Sequence, residues 1–276
     1  MVTKYEQIRF LSEALFRRLT GVHKATFEHM KAVLSEQIAK NKKVLGRPSR
    51  LSEADQVLMM LEYNREYRTY FHIAQSYQVS EATAFRLITR AENLLLQSGE
   101  FSLPGKKALL QSSISYQVVL VDATETRIER PPKKQRRYYS AKKKQHHLKT
   151  QMIVDKKSGK IICTHFAKGA VHDFQLFKCS QLKLPTPILL LADSGYQGIK
   201  KLIPQAHTPK KASKHYPLTR QDQQQNRALS SQRIKIENVF GFLKRFKIFA
   251  TKYRNRRKRF GLRFNLFAAI ANYDTI

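Results

Sequence analysis

Arg233-Ile-Lys-Ile-Glu-Asn-Val-Phe-Gly-Phe-Leu-Lys244, followed by Arg245, is the stretch on which the fold assignment turns. Read as a helix, it places Arg233, Glu237 and Lys244 at i, i+4 and i+11, on one face. Ile234, Ile236, Val239, Phe240 and Leu243 are left to pack the other sides. Glu237 is the last acid before Asp274, and 10 lysines and arginines stand between the two. One carboxylate in so positive a field has the look of a metal ligand awaiting a phosphate-bearing partner. A plain amphipathic helix, with Glu237 paired to Arg233, explains the same spacing, so the helix needs other carboxylates to become a site.

Two short apolar runs supply candidates. Gln117-Val-Val-Leu-Val-Asp122 and Ile188-Leu-Leu-Leu-Ala-Asp193 read as buried strands that each close on an acid. Carboxylates at strand C-termini face the crevice of an α/β sheet, where ligands bind. Three carboxylates stay together only around cations, and hard oxygen ligands select Mg²⁺ or Mn²⁺. Two such ions, ~3.5–4 Å apart, would clamp the attacking and leaving oxygens of a phosphoryl displacement. Among the other acids of the second half, Asp155 adjoins a turn, Asp222 starts a helix and Asp274 is terminal. Glu125 and Glu129 are expected to pair with Arg127 or Arg130. Asp173, after His172 at a helix start, is the rival ligand, and a charge on the helix dipole explains it equally well.

The totals point the same way. The chain has 276 residues, 42% of them hydrophobic, with 52 Lys+Arg against 20 Asp+Glu. That is enough apolar content for a core and enough positive charge to call for a polyanion, most simply nucleic acid. Residues 1–115 hold 17 basic and 11 acidic residues, and the remainder 35 and 9, so the polyanion has its main seat in the second part. Residues 130–154 contain no acid. There Lys142, Lys143 and Lys144, with other cations, alternate with Tyr138, Tyr139, His146 and His147, the mixture that grips a nucleic-acid backbone; a solvated hairpin is the plainer alternative. The run Arg254, Arg256 and Arg257 is similar. Neither a membrane span nor a signal peptide is expected, since the apolar run Phe264–Ala271 is far too short to span. Cys163 and Cys179 alone, in no metal or disulfide spacing, suit a reducing cytoplasm.

Residues 1–97 read as an all-α domain, 98–115 as a linker with Leu103-Pro-Gly105, and 116–276 as the α/β part. Within the first, about 69–97 forms a helix-turn-helix pattern: a short helix from Tyr70, a turn at Gln78-Val-Ser80, and a second helix capped by Ser80. Its inward side is Phe85, Ile88, Ala91 and Leu95. Outward it offers Thr83, Arg86 and Arg90, placed to meet a DNA major groove, although a helical hairpin with a polar face would look alike. In the second part, 148–155 and 160–166 follow the Asp122 strand as an antiparallel meander.

Val121-Asp-Ala-Thr-Glu125, Val171-His-Asp173, Leu191-Ala-Asp-Ser-Gly-Tyr-Gln-Gly198 and the Arg233–Lys244 stretch, taken in order, resemble the DDE transposases of bacterial insertion sequences, nearest the family five type related to the Harbinger group. The runs from Tyr138 to Lys144 and from Tyr253 to Gly261 fit as well. The resemblance implies a ribonuclease-H-like catalytic domain, a mixed sheet flanked by helices, behind the helix-turn-helix. It implies Asp122, Asp193 and Glu237 as the catalytic, metal-binding triad for two ions, with Arg233, Lys244 and Tyr196 near the cleaved phosphate and His172 and Asp173 supporting. It further implies double-stranded DNA as partner, at element ends and target site, a homodimer on DNA, and a place on the bacterial nucleoid. Water would cut the strand, and the freed 3′-hydroxyl would attack target DNA. The tyrosine expected just before Arg233 is Ser230 here. A nuclease of the same fold that does not transpose, a DNA-binding regulator with an idle catalytic domain, and an RNA-binding protein are the alternatives.

Overall fold

The computed structural model describes residues 3–41, 49–111, 116–213 and 217–274. Positions 46–48 of the expected Gly46–Arg50 loop and 112–115 of the expected linker lie outside the described residues. Helices α1 (Lys4–Ile8), α2 (Glu13–Thr20), α3 (Lys24–Lys40), α4 (Glu53–Glu66), α5 (Tyr70–Ser76) and α6 (Glu81–Gln97) come first. Strand β1 (Val118–Arg127) follows, then β2 (Tyr139–Ser140), β3 (Gln145–Asp155) and β4 (Ile161–Lys168). Next come α7 (Asp173–Ser180), β5 (Leu189–Ala192) and β6 (Ala206–His207), and the chain ends in α8 (Arg220–Lys244), α9 (Lys247–Ala250) and α10 (Phe260–Asp274).

Two compact units contain these elements. One comprises Met1–Ser102, Leu243–Ala250 and Arg257–Ile276; the other comprises Leu103–Phe242 and Thr251–Arg256. The grouping is not contiguous: α9 and α10 belong with the N-terminal helices rather than with the sheet. Packing explains it, since Tyr273 of α10 stacks on His29 of α3 at 4.5 Å between ring centroids, and α10 is buried along most of its length. A buried ion cluster adds to it. Glu92 of α6, fully buried, accepts from Arg259 at 2.8 Å and from the buried Arg263 of α10 at 2.8 Å.

The helix-turn-helix geometry follows from its caps. Thr69 and Ser80 each accept a backbone N–H two or three residues on, which starts α5 and α6 where expected. Gln78 takes the left-handed conformation of the turn (φ 53°), and Val79 donates back to the carbonyl of Ala74. The buried stripe of α6 is Ala84, Ile88, Ala91 and Leu95. Phe85, expected inside, is 46% exposed and stands edge-on to Tyr70 at the border of that stripe.

The second unit is built on a mixed sheet in the order β2-β3-β1-β5-β6, with β4 on β3. β1, β3 and β4 pair antiparallel, as the meander predicts, and β5 and β6 add parallel on the far side of β1. Val119, Val121, Ile153, Leu190 and Ala192 form a core on one face with Phe177 of α7. Strand alternation sends Leu120 and Asp122 to the other face, where α8 meets Asp122 through Arg233. β6 is only two residues long, too short to carry a strand pattern in the sequence. Among the described residues no helix is long and apolar enough to cross a membrane.

Glu92→Ala leaves the Arg263 guanidinium buried without its carboxylate. The expected cost is about 3–5 kcal/mol, read as a lower urea midpoint, and an unchanged midpoint would remove the cluster from the account of how α6 is held.

Candidate active site

Asp122 and Asp193 stand level with each other. β1 and β5 run parallel with Val121 opposite Ala192, so the next residue on each strand is the acid. β5 stops at Ala192, whereas β1 does not end at Asp122. It continues to Arg127 against β3, pairing Asp122 with Met152 and Glu125 with Lys149. Asp122 is thus mid-strand, a correction to the expectation of a strand terminus, and it faces the crevice because its parallel neighbour has ended there.

Arg233 Nη2 donates to Asp122 Oδ2 at 3.0 Å. The pairing of Arg233 with Glu237, which the plainer reading of the helix required, is replaced by this long-range bond. Arg233 lies in the buried stripe of α8 with Ile236 and Phe240, whereas Glu237 and Lys244 are exposed and Ile234 is 51% exposed. Glu237 therefore sits one turn beyond the residue that touches Asp122, beside the packed stripe. It makes no hydrogen bond or ion pair among the described residues. Ser230, at the position of the expected tyrosine, is exposed on the same helix.

Asp193 opens a tight turn by accepting the N–H of Gly195. Space is tight at Gly195: a Cβ would lie 3.0 Å from Asp173 Oδ2 and 3.1 Å from Asp193 Oδ1. Asp173 does not cap α7; His172 does, through Phe174 N. The Asp173 carboxylate instead accepts from Lys149 Nζ at 2.9 Å, and Lys149 also reaches Glu125 at 3.4 Å and the carbonyl of Val171 at 2.8 Å. Glu125 is thereby paired across the strand register to Lys149 and not to Arg127 or Arg130. Lys149 had stood out only as one of many basic residues; its place opposite Glu125 on the neighbouring strand is what makes it a centre. Tyr196, expected near a phosphate, is fully buried against Phe177 with its hydroxyl unpartnered.

The electrostatics record how close these groups lie. Burial pushes the Asp122 carboxyl up to about 6; the charges of Asp193 and Asp173 add to the rise, and Arg233 and the Ala123 N–H oppose it. Burial, then Asp122, Asp173 and Asp193, raise the Tyr196 hydroxyl well above its ordinary value. Crowded, partly desolvated carboxylates are the donor set that a hard divalent cation relieves, so Asp122 and Asp193 fit such an ion. Among the described residues, no three acidic, histidine or cysteine side chains are grouped to hold one metal together.

The DNA-contact candidates lie apart from this cluster in sequence. Arg86 and Arg90 are exposed on α6, and Thr83 is half-buried, bonded to Ser80 and to Arg86. Lys142, Lys143 and Lys144 form the exposed turn between β2 and β3. Arg254, Arg256 and Arg257 are exposed along the segment before α10.

Residues 113–272 match the family model described as the transposase DDE domain, and residues 49–101 match the helix-turn-helix of DDE superfamily endonuclease. The chain is also 43% identical, over 98% of both lengths, to the probable transposase for insertion sequence element IS702 from Microchaete diplosiphon.

Because the Asp122 carboxyl is raised from 3.8 to about 6, its contribution to stability is full below pH 3.8 and is lost as the pH rises through about 6. In urea unfolding without divalent ions, the wild type is expected to lose stability relative to Asp122→Asn across that window. Parallel curves for the two proteins would refute the assignment.

Proposed function

The chain belongs to the DDE transposases, which are DNA endonucleases and strand transferases, and on that premise we propose that it binds the terminal inverted repeats of its own insertion sequence, cuts the strand there and joins the freed 3′ end to target DNA. The observation that carries this reading is the level pair of Asp122 and Asp193 where the parallel strands part, with Arg233 on Asp122.

Asp122, Asp193 and Glu237 would hold Mg²⁺ or Mn²⁺, as two ions. When bound, these supply charge neutralisation at the attacked phosphate and make water a better nucleophile. Asp122 and Asp193 are supported by their register and crowding, and Glu237 by its place one turn past Arg233 on the helix anchored to Asp122. Arg233 presents a planar fork that suits a phosphate once it leaves Asp122, and exposed Lys244 adds a point charge on the same helix. Lys149 holds Asp173 and Glu125, keeping two further carboxylates neutralised beside the turn that carries Asp193. The fully buried Tyr196 walls that turn.

Thr83, Arg86 and Arg90 would address bases and phosphates of the element end, and Lys142, Lys143, Lys144, Arg254, Arg256 and Arg257 the backbone. Two copies would act together on paired ends, on the nucleoid in the bacterial cytoplasm. With six to ten phosphates engaged, affinity would fall by ~10³–10⁵ between 50 and 200 mM salt.

Asp193→Ala is expected to abolish Mg²⁺-dependent nicking of a supercoiled plasmid while the plasmid is still retarded on a gel; persistent nicking would remove Asp193 from the chemistry. Gly195→Ala, whose methyl crowds the two carboxylates by a few tenths of an ångström, should cut the nicking rate by about tenfold at unchanged thermal stability, since small misplacements at a reacting centre are costly. A wild-type rate would mean that the crowding there is incidental.

A further inference from the structure

The first half of α8 is held by little apolar packing. From Arg220 to Gln232 it carries no buried residue, and it is rich in Gln, Asn and Ser. A segment that is polar all round needs either many internal ion pairs or a partner. Its one acid, Asp222, is taken by Lys210.

Its orientation is nonetheless set. Asn226 accepts from the backbone N of Lys210 at 2.9 Å and donates to the Lys210 carbonyl at 3.0 Å, and Thr219 N donates to Asp222 at 3.2 Å. Asp222, Asn226 and Leu229 are half-buried and lead, at helical spacing, to the buried Arg233. That stripe faces the chain's own loop and sheet. The opposite face presents Arg220, Gln224, Arg227 and Ser231, at spacings of four, three and four, all exposed. These four span roughly 16 Å of helix axis. The face bears two cations and no acid.

We propose that this outward face of α8 is a second DNA-reading surface, which enters the major groove of duplex DNA beside the strand being cut. An α-helix fits that groove, guanidinium groups read guanine edges and side-chain amides read adenine edges. The face is unsuited to a second copy of the chain, because it lacks the apolar centre of a protein interface and its cations would repel their own kind. Because α8 is continuous, Arg227 lies only six residues before Arg233, so whatever duplex the face grips is held in register with Asp122. The inference rests on the reading of the chain as a DNA-cutting enzyme and adds where, besides α6, it discriminates sequence.

The test uses the full chain with a photo-crosslinking phenylalanine in place of Gln224, or of Glu36 on α3 for comparison, irradiated with a fluorescein-labelled mixed-sequence duplex. Crosslinking to the duplex from position 224 well above that from 36 is expected. Arg227→Ala should lower the slope of log affinity against log salt by about 1, and Gln224→Ala should change which sequences are retained from a random duplex pool. Both variants should keep the wild-type melting temperature. A crosslink from 224 only to another copy of the chain, or an unchanged slope and unchanged selection, overturns the proposal while leaving Asp193-dependent nicking to stand. A wild-type chain that neither retains nor nicks duplex DNA overturns this surface and the proposed activity together.

Discussion

The register between β1 and β5 is the constraint on which the second unit depends. Parallel pairing of Val121 with Ala192 brings two acids, 71 positions apart in the chain, to the same level at the point where one strand ends and the other goes on. A slip of one residue would move one of them to the opposite face, into the core with Val119 and Phe177, where no cation waits. The acid that closes each run opposes that slip, because an apolar core penalises an unpaired carboxylate.

Charge is handled locally rather than in bulk. A chain with 32 more positive than negative charges still answers several of its carboxylates individually. Arg233 answers Asp122, Lys149 answers Asp173 and Glu125, and Arg259 and Arg263 answer Glu92. Each of these cations reaches its acid from another element, so the same contacts that neutralise also tie strand to strand, helix to strand or helix to helix. The remaining positive charge stands largely at exposed turns and helix faces.

Much of this was legible from short patterns. The second helix of the helix-turn-helix begins where Ser80 said it would, because a capping side chain acts within three residues of itself. The Asp122 and Asp193 strands and the meander were legible for the same local reason. What depends on distant partners was not. Nothing near Asp122 in sequence reveals that β1 runs on to Arg127, since that extension is imposed by β3. The partner of Glu125 is set by strand register and not by the nearest arginine, and Arg233 is drawn inward by an acid 111 residues away. The helical spacing of Arg233, Glu237 and Lys244 is real, yet burial divides them, because the packed stripe through Ile236 and Phe240 passes to one side of Glu237.

The membership of α10 has a bearing on how the molecule is made. The fully buried Glu92 belongs to the first third of the chain, and both its cations come from the last 20 residues. Synthesis proceeds from the N-terminus, at about 5–20 residues per second, and domains usually close as they emerge. Here the N-terminal helices wait, with a bare carboxylate and an uncovered apolar side, until Arg259 and Arg263 have been translated. The first unit therefore closes only after the sheet that interrupts it in sequence has been made.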